Sequence, residues 1–185
     1  MSSTSQLKYR PLSDSEIVGL LDGKTVVRKY NELDRFNSID EVLVPYGNCV
    51  ILLETAKNFG HWICIKRTGN MISFFDSYGG FPDNQKHYVN EDFLESSGQS
   101  YNKICELLYK ASFKSLVEFS NRKLQDIKKS KIATCGYWCV LFIKSGLTVD
   151  EFYKYIDSFH ASDKDSLVVS LLAGEIPQPK KRRIN

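Results

Sequence analysis

Three short runs rich in β-branched and aromatic residues follow one another with almost nothing between them. They are NCVILLE, with residues 49–54 at its core, HWICIKR at 61–67 and MISFFDS at 71–77. The links hold Gly60 and the pair Gly69-Asn70, so the last two runs predict a β-hairpin and all three predict a small central sheet.

Helical patterns lie on both sides of it. Ser13 with Glu16 forms a capping box before Ile17, Leu20 and Leu21, and Gly23 stops that helix. Residues 27–36 read as a second helix. After the sheet, residues 91–112 place Ile104, Leu107 and Leu108 on one helical side, and SLVEFS at 115–120 reads as a further strand. A helix begins near Cys135, Thr148 with Glu151 caps another, and Ser162 with Asp165 caps a last one that stops at Gly174. No internal repeat is found. The expectation is an α+β fold, with a small central mixed sheet between N-terminal helices and a C-terminal helical cluster. Residues 1–176 then form one domain and 177–185 a flexible basic tail.

Composition narrows the class. At 42% hydrophobic and 25% charged residues, the 185-residue chain is ordinary for a globular protein. No segment has the apolar length of a membrane span, and MSSTSQLKYR lacks a signal peptide's apolar centre, so an intracellular protein with no membrane partner is expected. The five cysteines show no CxxC knuckles, which favours reduced thiols over a disulfide framework. Of 25 Lys and Arg residues, Lys180, Lys181, Arg182 and Arg183 stand in the terminal PKKRRIN, so the remaining 21 face 22 acidic residues and the basic character belongs to the tail.

The stretch TCGYWCVLFIKSG places Cys135 and Cys139 four residues apart at the head of a strongly apolar run. A cysteine in the first turn of a helix sits among unsatisfied N–H groups that stabilise a thiolate. Cys135 has that position, while Cys139 lies one turn deeper, among Val140, Leu141 and Phe142. Buried packing is the competing reading for both. Of the three histidines, His61 ranks first as a base because it follows a glycine at the head of a strand, whereas His87 lies in a polar loop and His160 between helices. Asp76 ends the apolar MISFF run, where a carboxylate is costly without a partner, and pairing of the 61–67 and 71–77 strands brings it to the same end of the sheet as His61. It serves equally well as the start of the DSYGG turn. Cys135, Cys139 and a histidine lack the local four-ligand spacing of a zinc site, so no metal is expected.

GHW at 60–62, FFDSYG at 74–79 and TCGYWC at 134–139 resemble, in order and spacing, the His, Asp and Cys blocks of adenain-like and Ulp/SENP-like cysteine proteases. The likeness spans roughly residues 45–145 and is closest to the maturation proteases of virophages, Polinton-type elements and other large DNA viruses. It implies an adenain-like fold of the papain-like superfamily with His61 as base, Asp76 as its orienting partner and Cys135 as nucleophile. Trp62 would line a narrow substrate channel. The family's oxyanion-hole glutamine usually stands six or seven residues before the nucleophile; here Gln125 is the candidate, ten residues before Cys135, with Lys128 and Lys129 in the usual places.

The resemblance implies a thiol endopeptidase that cleaves viral capsid precursors at glycine-containing sites during virion maturation. It would act inside the host, in the cytoplasmic viral factory or the nucleus, and be packaged in the virion. No cofactor is required by the sequence, and an activating peptide or DNA stays open. Two other readings compete: a protease that removes ubiquitin-like modifiers with the same site, and an inactive module that binds nucleic acid through Lys180, Lys181, Arg182 and Arg183. The tail also resembles a nuclear-import signal, and a merely solubilising tail accounts for it as well.

Overall fold

The computed structural model describes residues 4–126, 128 and 131–174. Five strands lie side by side in chain order: β1 (Val26–Lys29), β2 (Asn48–Ala56), β3 (Phe59–Thr68), β4 (Met71–Phe75) and β5 (Leu116–Phe119). The central three form an antiparallel meander, while β1 pairs parallel with β2 and β5 parallel with β4, so the sheet is mixed. β2 and β3 are buried over most of their length because both faces of the sheet are covered. Their apolar residues are therefore consecutive rather than alternate.

Residues 27–36 are not a helix. The valines of β1 align with β2, and a 3-10 helix follows at Tyr30–Arg35. Sheet pairing of two β-branched residues wins over a weak helical period. The 91–112 segment divides into two helices because Gly98, at φ +71°, reverses the chain between them.

The helices are α1 (Thr4–Leu7), α2 (Asp14–Leu20), α3 (Ile39–Leu43), α4 (Glu91–Ser96), α5 (Lys103–Ser112), α6 (Cys135–Ser145), α7 (Val149–Asp157) and α8 (Lys164–Leu172). Both predicted capping boxes are present, Ser13 with Glu16 on α2 and Thr148 with Glu151 on α7. The cap of α8 is Asp163, whose side chain accepts from the Ser166 N–H, not Ser162. Asp165 is then the second residue of the helix rather than the third, and it is buried.

The layering also differs from expectation. Ile17 and Leu21, from α2 and its C-terminal cap, share a core with α6, α7 and α8 against Val50, Leu52, Trp62, Cys64 and Phe75 on one face of the sheet. The other face carries Ile51, Leu53, Ile63, Ile65 and Phe74 under the 3-10 helix, α3 and α5. The N-terminal helix α2 thus joins the C-terminal cluster, and the opposite layer comes from the middle of the chain. Alternation along β2 and β3 decides which side chain meets which layer.

Candidate active site

α6 runs along β3, and three contacts fix its register. A Cβ at Gly136 would meet Trp62 Cδ1 at 3.2 Å, Cys64 Sγ approaches Cys139 O at 4.0 Å, and Lys66 Nζ donates to Phe142 O at 2.8 Å. Glycine at 136 lets the helix approach the indole this closely. The residue preceding each member of the first pair, His61 and Cys135, then meet at the end of the sheet. The two side chains line one pocket of about 250 Å³, with Tyr78, Gln85, Gln125 and Ala133 among its other walls.

β3 and β4 pair with Cys64 opposite Phe75, so Asp76 leaves β4 at the end of the sheet where β3 presents His61. His61 Nε2 lies 2.6 Å from Asp76 Oδ1. The carboxyl group is 0% exposed and takes two further donors, the Tyr78 N–H on Oδ1 at 2.9 Å and the Gln85 amide on Oδ2. The Asp76 N–H donates to Ser120 Oγ at 2.8 Å. Asp76 therefore does more than begin a turn, although it does that too: Gly79 closes the turn onto Asp76 O at φ +72°, where a Cβ would strike the Arg122 backbone.

An acceptor-only carboxylate at Nε2 requires the proton on that nitrogen, which leaves Nδ1 as the acceptor in the neutral imidazole. Nδ1 is buried and has no hydrogen-bond partner. Burial alone would lower the imidazole's proton affinity, but the Asp76 carboxylate and then the Cys135 thiol outweigh it and push the pKa up to about 10. The Tyr78 ring stacks on the imidazole at 3.9 Å and 14°, restricting its rotation.

The two cysteines of α6 separate clearly. Cys135 is the first helical residue and is 5% exposed, on the pocket wall, whereas Cys139 is 0% exposed and burial pushes its thiol well above the ordinary range. A buried, unactivated thiol is inert.

Gln125 reaches the pocket despite its ten-residue separation. Its N–H, like that of Leu124, donates to Ser77 O, which ties this segment to the turn after Asp76. Ser77 Oγ donates to Gln125 Oε1 at 3.0 Å, and Gln125 Nε2 donates to Ile132 O at 3.2 Å, so the amide orientation is fixed and one N–H is left over. Trp62 lies elsewhere. It is 5% exposed, donates from Nε1 to Leu12 O at 2.9 Å, and helps wall a neighbouring groove of about 540 Å³ rather than the pocket of Cys135. Pro11, Phe59 and Gly60 line both spaces and join them.

Sequence reasoning missed Gln85, Tyr78 and Ser120. Tyr78 was legible as part of the FFDSYG block, but Gln85 in a polar loop and Ser120 at a strand end give no signal until the fold brings them to Asp76. Lys180, Lys181, Arg182 and Arg183 lie outside the described residues. Among those described, no group of three or more His, Cys, Asp or Glu side chains is arranged to hold a metal ion, and no helix is long and apolar enough to cross a membrane.

The site is thus a thiol–imidazole–carboxylate constellation at the junction of a helix N-terminus and a sheet end, carried on a mixed α+β fold. No protein-family model matches the chain. It is 40% identical over 174 residues to the uncharacterized protein V9 of Sputnik virophage, covering 90% of this chain and 98% of that protein. The chain belongs to the V9 family of virophage proteins.

Proposed function

We propose that the protein is a cysteine endopeptidase of the adenain-like type. The observation that carries this reading is the imidazole of His61, bonded through Nε2 to a fully buried carboxyl group, with its other nitrogen left unpartnered in the pocket it shares with Cys135. A core histidine kept for packing would have both nitrogens satisfied.

In this reading the Cys135 thiol gives its proton to His61 Nδ1, and the thiolate attacks the carbonyl carbon of the scissile peptide. The N–H of Cys135 and the spare N–H of Gln125 hold the developing oxyanion. His61 Nδ1–H then protonates the leaving nitrogen as the C–N bond breaks, leaving a thioester on Cys135. His61 next takes a proton from water, whose oxygen displaces the sulfur and releases the acid product. Asp76 keeps the ring oriented and stabilises its charged form without itself being protonated.

Capsid precursors of a virophage are the substrates that best suit a protease of the V9 family. Glycine before the scissile bond, as the resemblance implies, would lie where Pro11, Phe59 and Gly60 line both the groove of Trp62 and the pocket of Cys135. The test is incubation of the purified protein with capsid proteins of its source, followed by mapping of new termini. Cleavage after glycine that is absent with Cys135→Ala supports the reading; intact capsid proteins and intact glycine-containing peptides in all samples contradict it.

A further inference from the structure

We infer that Asp165, on α8, is a positioning residue for Cys135 that acts through Thr134; the inference rests on the reading of Cys135 as the nucleophile. Thr134 immediately precedes α6, where a threonine ordinarily turns its hydroxyl back onto the first N–H groups of its helix. Here Thr134 Oγ1 donates to Asp165 Oδ1 instead. The Thr134 backbone, at φ −93° and ψ 2°, is outside the extended cap conformation, and no side chain caps the helix. The first-turn N–H groups of α6 are thereby left for negative charge on sulfur and on the oxyanion.

The same carboxyl group holds two more parts of the site. Asp165 Oδ2 accepts from the N–H of Asp126 at 3.0 Å, directly after Gln125, and Oδ1 also receives Trp138 Nε1 at 3.4 Å, one turn into α6. Asp165 is 2% exposed, and among the described residues no cation pairs with it. Three donors and no acceptor suit a carboxylate and not an amide, whose NH2 would have to face a donor. One side chain therefore fixes the spacing between the candidate oxyanion amide, the residue before the nucleophile and the nucleophile's helix. It comes from α8, beyond the segment that carries the sequence motifs, and it is not among the walls of the pocket that holds Cys135.

A merely adhesive Asp165, holding α8 to α6, would affect melting temperature alone, so the test reads chemistry. Thr134→Val removes the donor with little change of shape, Thr134→Ser restores it, and Asp165→Asn replaces one acceptor by a donor. The readouts are kcat and KM on a fluorogenic Gly-Gly peptide amide, and the rate at which iodoacetamide alkylates Cys135. The expected result is a fall in kcat of about tenfold for Thr134→Val and about 100-fold for Asp165→Asn at nearly constant KM, with Cys135 alkylation slowed in parallel and the rate recovered in Thr134→Ser. Unchanged kcat and alkylation in Thr134→Val, with only a lower melting temperature, would overturn the inference, and this comparison decides it even where Asp165→Asn does not fold. Failure of the underlying reading looks different: the unmodified protein would cleave no peptide, and its Cys135 would react no faster than the exposed Cys105.

Discussion

Replacing Asp76 by Asn removes the charge that sets the proton affinity of His61 while keeping the side chain's size. Burial by itself lowers the imidazole, and Asp76 is the largest influence in the other direction, bringing it from the ordinary 6.5 to about 10. The ratio of thiolate–imidazolium to thiol–imidazole depends on the difference between the two acidities. Returning His61 to 6.5 or below therefore cuts that ratio by about 1000-fold or more. The sign follows directly: with Asp76 present the imidazole keeps its proton, and its positive charge, through neutral pH, whereas without the carboxylate that charge is lost near pH 6.5 or below. The assay is the second-order rate of Cys135 alkylation by iodoacetamide from pH 5 to 10, with peptide mapping to exclude Cys105. The unmodified protein should show fast alkylation that is nearly flat across neutral pH. Asp76→Asn should be slowed by about 100-fold or more near pH 6 and should converge with it near pH 10. Superimposable profiles would show that Asp76 does not control the proton on His61, and the triad argument would fail.

The same pairing makes a stability contribution that is complete below pH 6.5 and lost as pH rises toward about 10, so Asp76→Asn should destabilise the fold more at pH 6 than at pH 10 in denaturant titrations. Cys135→Ala should abolish cleavage with the melting temperature retained, while Cys139→Ala, at a 0% exposed site, should keep activity and lose about 1 kcal/mol of stability by chemical denaturation; the opposite pattern would exchange their roles. Gln125→Ala should lower kcat by about 100- to 1000-fold with KM little changed, as loss of an oxyanion donor does, and a normal kcat would remove Gln125 from that role. Lys66, buried against the Phe142 ring and carbonyl, is depressed by burial to about 7, so Lys66→Met should raise stability by about 1–3 kcal/mol at pH 6, with the gain shrinking as pH approaches 10.5; a loss of stability at pH 6 would mean that its bond to α6 outweighs its desolvation.

Much of the site was legible because its chemistry is held by local signals. Gly60-His61 at a strand head, Asp76 at a strand end and Cys135 at a helix start are positions that patterning finds, and hairpin register alone brings the first two together. Gln125 was legible only as a residue type, since its distance from Cys135 depends on a loop whose path is set by Ser77 and Ile132. Trp62 follows His61, yet alternation along β3 sends it to the other face, under Leu12, so these two neighbours in sequence line adjoining spaces rather than the same one. Gln85 and Asp165 were hidden for a related reason. Each is a polar residue in a stretch whose local preference is a loop or a cap, and only the tertiary fold turns it into a partner of buried groups. The β1 segment misled because a four-residue edge strand is stabilised by pairing with β2, which no local window contains.

The central claim is that Cys135 forms a covalent acyl intermediate with a peptide. Acid quenching of the protein mixed with a Gly-Gly-containing peptide ester, followed by intact-mass and peptide-mapping spectrometry, tests it directly. The account predicts an acyl adduct on Cys135 that disappears on return to neutral pH with release of the peptide acid, and no adduct on Cys135→Ala or on His61→Ala. Hydrolysis of the ester without any adduct, or an adduct on Cys105 that persists in Cys135→Ala, would contradict it.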